Sequence, residues 1–214
     1  MQQKLIDLMC KFELAYKLTN GDYMAPQLLP GDYRHDIPWR GNQQNLFFVY
    51  QYGFMPRGIL SRLIVRLHSM IYEEVRWYSG VFLEWGGTRA LVREDRARSR
   101  IVIRLEGSDL RGLLAIVRRE VEEIHASFGP KLPVEEKVPC NCETCTQRDE
   151  PYFYAFKNLE SRISAGRQEI DCEYSPHHSV NIQALLSAVS IEWDDRDNTM
   201  GHLSESQTPL RDKQ

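Results

Sequence analysis

An α+β fold built on a mainly antiparallel sheet is what this sequence predicts, from three observations. Val81, Leu83 and Trp85 alternate along the chain, Gly86-Gly87 supplies a two-residue turn, and Ala90 and Val92 continue the pattern. With Ile101 to Leu105 this makes a three-stranded meander over residues 77–106. Leu110, Leu113, Leu114, Val117, Val121 and Ile124 recur at helical spacing, so a long amphipathic helix follows and packs on that sheet. The 214 residues, 42% hydrophobic and 27% charged, are enough to bury a sizeable core.

The remaining elements follow in chain order. Leu5, Leu8, Met9, Phe12 and Tyr16 predict a helix over residues 4–18, closed by the turn Thr19-Asn20-Gly21-Asp22 and followed by a strand from Tyr23 to Leu29. Pro30 to Gln44 reads as a boundary or long connection. Leu46 to Tyr52 is aromatic and β-branched and predicts a strand. Pro56 opens a helix with Leu60, Leu63, Ile64, Leu67 and Ile71 on one face. Phe128-Gly129-Pro130 stops the long helix. Beyond it, a small unit carries a helix near Asn158 to Ala165, a strand from Gln168 to Cys172 and a helix near Val180 to Val189. From Glu192 onward the polar composition predicts a disordered tail.

The net charge of −3 gives no overall bias toward nucleic acid or acidic membranes. No apolar run approaches the roughly 18 residues of a membrane span. Lys4, Asp7, Lys11 and Glu13 break the pattern a signal peptide needs, so a cytoplasmic, reducing location is expected. Four catalytic signatures are missing: the phosphate-cradling P-loop, the kinase set, the G-x-S-x-G elbow and the H-E-x-x-H zinc helix. These absences predict a protein that binds partners and is not an enzyme.

Chemistry concentrates in the cysteines. Cys140-x-Cys142-x2-Cys145 places three thiols within six residues, and Cys172 could complete a tetrahedral set. Four thiolates leave no open position, so zinc held there would be structural. The alternative is a set of reduced cysteines without metal. His177 or His178 could replace one ligand, which would open the way to a zinc-dependent hydrolase. Arg57, Arg62, Arg66 and Arg76 keep a nucleic-acid-binding zinc protein in view, although Glu73 and Glu74 interrupt that basic run. Trp39, Phe47, Phe48, Tyr50, Tyr52 and Phe54 put large rings on both faces of one strand, which predicts either two covering layers or a partner.

Several of these segments together resemble a known family. Residues 5–16 followed by Pro26-Gln27-Leu28-Leu29-Pro30 resemble the end of the first half of the COR domain, which follows the Roc GTPase domain in Roco proteins. Phe54-Met55-Pro56-Arg57-Gly58 and the helix after it are similar to the second half. Trp77 to Arg93, Leu113 to Val121 and the cysteine segment Val138 to Cys145 are similar to bacterial members. The resemblance implies a winged-helix remnant at 1–30, a second COR subdomain at 45–130, a small cysteine-bearing unit at 131–190 and a tail at 191–214. It also implies a fragment of a Roco-type GTPase that forms homodimers and binds a Roc domain to regulate it. Nucleotide, nucleic acid and membrane are not expected partners.

Overall fold

The structure, a computed structural model, describes residues 2–31, 33, 36–39, 45–129, 132–148 and 150–187. A helix α1 (Gln2–Lys11) leads into a short hairpin of β1 (Tyr16–Lys17) and β2 (Tyr23–Met24) and a 3-10 turn at Pro26–Leu28. Then come β3 (Asn45–Tyr52), α2 (Ile59–Arg66), β4 (Ile71–Trp77), β5 (Gly80–Trp85), β6 (Thr88–Asp95), β7 (Arg100–Glu106) and α3 (Leu110–Ser127). The chain continues through β8 (Val134–Pro139), α4 (Glu143–Thr146), β9 (Phe153–Ala155), α5 (Phe156–Ser164), β10 (Glu169–Cys172), β11 (Ser175–Asn181) and α6 (Ile182–Ser187). Seven strands form one antiparallel sheet in the order β4-β5-β6-β7-β3-β8-β9, and β10 pairs with β11 in a separate hairpin.

The predicted α+β class and antiparallel meander are both present. Gly86 and Gly87 have φ of 56° and 78°, the left-handed pair that a two-residue hairpin turn demands. Asp109 caps α3 by accepting a hydrogen bond from the Gly112 amide at 2.9 Å. Side-chain alternation then sorts the sheet into two faces. Phe48, Tyr50, Ile101, Ile103, Leu105, Val92, Val81 and Leu83 lie on one face and join Leu63, Ile64, Leu113, Val117 and Val121 of α2 and α3 in the main core.

The opposite face is where the two-faced aromatic strand finds its answer. Val75, Trp77, Phe82 and Leu91 form a second cluster, with Tyr33, Ile37, Trp39 and Tyr72 packed on it. Arg104 of β7 lies 4.3 Å from the Trp39 ring centre and 5.6 Å from that of Phe47. Arg89 donates to the Pro38 carbonyl at 2.5 Å, and the Tyr78 amide donates to the Pro30 carbonyl at 2.8 Å. The described part of the 30–44 connection therefore covers this face from within the chain. Of the aromatic run, Phe47, Phe48, Tyr50 and Tyr52 are buried and Trp39 is half-buried, while Phe54 is 70% exposed.

Several element boundaries differ from expectation. The first helix stops at Lys11 because Glu13 turns left-handed, with φ 57°. The Leu14 amide then bonds back to Met9 and the Glu13 amide to Cys10, a helix-ending pattern usually made with glycine. Tyr16, expected on that helix, sits in β1 instead. The strand expected at Tyr23–Leu29 is two residues long, since Pro26 opens a 3-10 turn. Ile71 belongs to β4, a fourth strand on the meander, and not to the helix before it. β8 and β9 were not expected at all, and they carry the main sheet past residue 130. Val180 belongs to β11, so the last helix begins at Ile182. The predicted tail from Glu192 onward lies outside the described residues.

Candidate metal centre

Four elements converge at one end of the sheet to bring the cysteines together. Cys140 follows directly on β8, and its amide is fixed by a 2.7 Å bond to the Tyr152 carbonyl. Cys142 caps the single turn of α4, its carbonyl accepting from the amides of Cys145 at 2.9 Å and Thr146 at 3.0 Å. Cys145 points inward from that turn. Cys172 ends β10 at a register shift in the β10–β11 pairing. The four sulfurs all lie within 4.8 Å of one another. Cys140, Cys145 and Cys172 are buried and Cys142 is half-buried.

This geometry can hold a metal ion. A tetrahedral zinc with sulfur ligands at about 2.3 Å separates its sulfurs by about 3.8 Å, inside the observed span. The donor set is all sulfur, the type that selects zinc and other thiophilic ions over calcium or magnesium. Among the described residues, no histidine or carboxylate joins the group. His178 is tied to Ser175, Nδ1 to Oγ at 2.6 Å, and the His177 side chain lies outside the described residues. Cys10, the fifth cysteine, is half-buried and stands apart from the group.

The thiols do not share one acidity. Burial pushes Cys140 up to about 11 and raises Cys145 as well. Burial acts on Cys172 too, but hydrogen bonds from Cys145, the Tyr174 backbone, Cys140 and Cys142 outweigh it and hold this thiol below its usual value. The thiolate is the form that binds metal, and these contacts favour it at Cys172. The Tyr154 hydroxyl supports the cluster from behind, 3.5 Å from the Cys140 sulfur and 3.3 Å from the Asp171 carbonyl. That contact has no signature in the sequence, because β9 itself was not foreseen.

Three arginines of the basic run are paired within the molecule, while Arg57 is exposed. Arg62 meets Glu13 at 2.7 Å and Ser127 at 2.5 Å. Arg66 meets Glu13 at 2.6 Å, Glu120 at 3.2 Å and Glu123 at 2.5 Å. Arg76 pairs with Glu74. This network clamps the end of α1 onto α2 and α3. Arg62 and Arg66 share one face of α2 and Glu120 and Glu123 one face of α3, but spacing within each helix does not say that the two faces meet. The opening segment also leaves large apolar side chains in solvent: Leu5 is 59%, Leu8 49% and Phe12 60% exposed. No described helix is long and apolar enough to cross a membrane.

Comparison with known proteins adds a second line. Residues 43–188 match the sequence model of the COR-B domain, described as C-terminal of Roc. The chain is 26% identical over 190 residues to a probable serine/threonine-protein kinase, roco7 of Dictyostelium discoideum, covering 79% of this chain and 7% of that protein. It is 31% identical over 110 residues to a Roc-COR-CHAT protease of Runella zeae, covering 49% of this chain and 11% of that protein. A third relative, the probable kinase pats1 of Dictyostelium discoideum, is 26% identical over 184 residues, 78% of this chain and 6% of its own length. The chain thus spans only about a tenth or less of these relatives.

Proposed function

We propose that this chain, which belongs to the COR-B family, is a non-catalytic dimerisation and regulatory module of a Roco-type protein. The observation that carries the reading is the match over residues 43–188 to a domain defined by its place after Roc. The relatives named as kinases or proteases share only this small part with the chain, so their names lend it no catalytic activity. Residues 1–30 then belong to the end of the preceding COR subdomain, 45–130 to the second, and 131–190 to an appended cysteine-bearing unit. The exposed ridge of Leu5, Leu8 and Phe12 supports a docking role for the opening segment. A second copy and a Roc GTPase domain are the partners proposed, in the cytoplasm, on a chain that is part of a longer protein.

The cysteine set belongs to the same reading as a structural Zn²⁺ site. Cys140, Cys142, Cys145 and Cys172 fill a tetrahedral shell with sulfur, which leaves no position for a reacting water and argues against a hydrolase. The internal pairing of Arg62, Arg66 and Arg76 argues against a nucleic-acid surface on that run.

Light scattering over a concentration series, with and without a purified Roc domain, tests the assembly role. Self-association in the micromolar range or a complex with Roc is expected. A protein monomeric at high micromolar concentration and silent toward Roc overturns it. For the metal, one zinc per chain with an all-sulfur shell by X-ray absorption is expected, and a shell containing oxygen would refute the structural site.

A further inference from the structure

The zinc reading accounts for four sulfurs as ligands but leaves one contact unused. The Cys145 and Cys172 sulfurs are 3.5 Å apart, close enough to touch, on segments 27 residues apart in the chain. Cys140 and Cys142 also reach Cys172, but the pair at 3.5 Å is Cys145 and Cys172, and Cys140 accepts from the Tyr154 hydroxyl besides. Cys142 is the half-buried member, and it gives a small oxidant a way into the cluster.

We propose that the cluster is also a thiol-oxidation site, in which hydrogen peroxide converts Cys145 and Cys172 into a disulfide as the metal leaves. The inference rests on the zinc reading only for the resting state; the choice of pair rests on the 3.5 Å contact. One of the two sulfurs attacks the peroxide O–O bond, becomes a sulfenic acid and releases water. The other sulfur displaces hydroxide from it, forming the S–S bond, and the hydroxide takes a proton to become a second water. The two thiols are oxidised by two electrons in all and the peroxide is reduced by two. Cys140 and Cys142 take up protons once the metal is gone.

The geometry gives this exchange a consequence. A sulfur pair at 3.5 Å needs to close by only about 1.5 Å to reach the 2.05 Å of a disulfide. The bond would join α4 to the end of β10, two of the segments that the metal joins. The β10–β11 hairpin would stay attached to the sheet through oxidation, and Cys140 and Cys142 would be left as free thiols. Loss of metal would then change the chemistry of this end of the molecule without releasing it. A reductant would restore all four ligands.

The test uses the full chain. Zinc per chain is measured first; hydrogen peroxide is then added with a chelator present, and peptides are mapped by mass spectrometry without reduction. A peptide pair joining Cys145 to Cys172 is expected, absent in Cys145→Ser and Cys172→Ser, retained in Cys142→Ser, and reversed by dithiothreitol with recovery of zinc binding. A cross-link confined to Cys140, Cys142 and Cys145, or thiols oxidised to sulfinic acid without any cross-link, overturns the proposal. A protein that carries no zinc as purified yet still forms the Cys145–Cys172 link refutes the zinc reading and supports the disulfide. Circular dichroism on each variant separates loss of the pair from loss of the fold.

Discussion

The main sheet and the β10–β11 hairpin solve the same problem by opposite means. The sheet body spreads its stability over many buried side chains: Phe48, Ile101, Ile103, Leu105, Leu113, Val117 and Val121 are all fully buried in one cluster. The hairpin has two strands and half-exposed or exposed positions at most of its residues, with Cys172, Val180 and, just beyond, Ile182 turned inward. A two-stranded ribbon of that size is marginal by itself in water. Beyond Val180, Ile182 and Leu185 in the shared core, its anchorage is the group of four sulfurs within 4.8 Å. Distributed stability fails gradually under substitution, whereas concentrated stability fails at once and locally.

The largest effect that separates the two regions is expected from Phe48→Ala. It should cost about 3–5 kcal/mol in global unfolding by guanidinium, because it opens a cavity between the sheet and its helices. A chelator should not change that difference. Next in size is Cys172→Ser. Hydrogen exchange should speed up at least about tenfold over residues 169–181, equivalent to about 1.4 kcal/mol of local stability, while residues 81–105 keep their protection. Equal acceleration in both regions would erase the distinction drawn between them.

A third substitution probes the seam between α1 and the sheet body. Glu13 accepts from Arg62 and Arg66, and these guanidinium groups hold its carboxyl below the usual range even though burial acts the other way. The groups are only partly buried, so Glu13→Gln should cost about 0.5–1 kcal/mol and mainly raise exchange in α1. The smallest effect expected is a pH dependence in the body. His125 is wedged between Tyr50 and Tyr52, its Nε2 2.9 Å from the Tyr52 hydroxyl, and burial lowers its pKa below the usual 6.5. Its neutral form is favoured in the folded state, so its contribution is full above pH 6.5 and is lost as pH falls through the lowered folded value. Urea midpoints at neutral and mildly acid pH, compared between the wild type and His125→Gln, should show that decline flattened in the variant.

Much of the architecture was legible because it depends on local periodicity. Alternation gave β5, β6 and β7, helical spacing gave α3, and Gly86-Gly87 marked the hairpin between β5 and β6. The cysteines of the candidate site were equally legible, since thiol spacing is a chemical pattern as much as a structural one. β8 and β9 were missed for a physical reason. Val134-Glu135-Glu136-Lys137 carries three consecutive charged residues and little apolar content, and the strand is held by hydrogen bonds to β3 and by Arg118 on Glu136 at 2.8 Å. Nothing within that stretch announces a strand. The choice between covering layers and a partner for the aromatic face shows the same limit, because Trp39 packs on that face from a segment whose own composition suggests only a loop.

The amino-acid sequence by itself determined the α+β class, the COR-type motifs and which four thiols could act together. Those properties follow from residue type and spacing along the chain. Only the tertiary structure decided that Cys172 meets the other three, that Cys145 is its 3.5 Å neighbour, and that α1 keeps an apolar ridge in solvent while its end is clamped by Arg62 and Arg66. Distances between residues far apart in the chain depend on how β8, β9 and β10 are placed by partners elsewhere, and spacing carries no record of that.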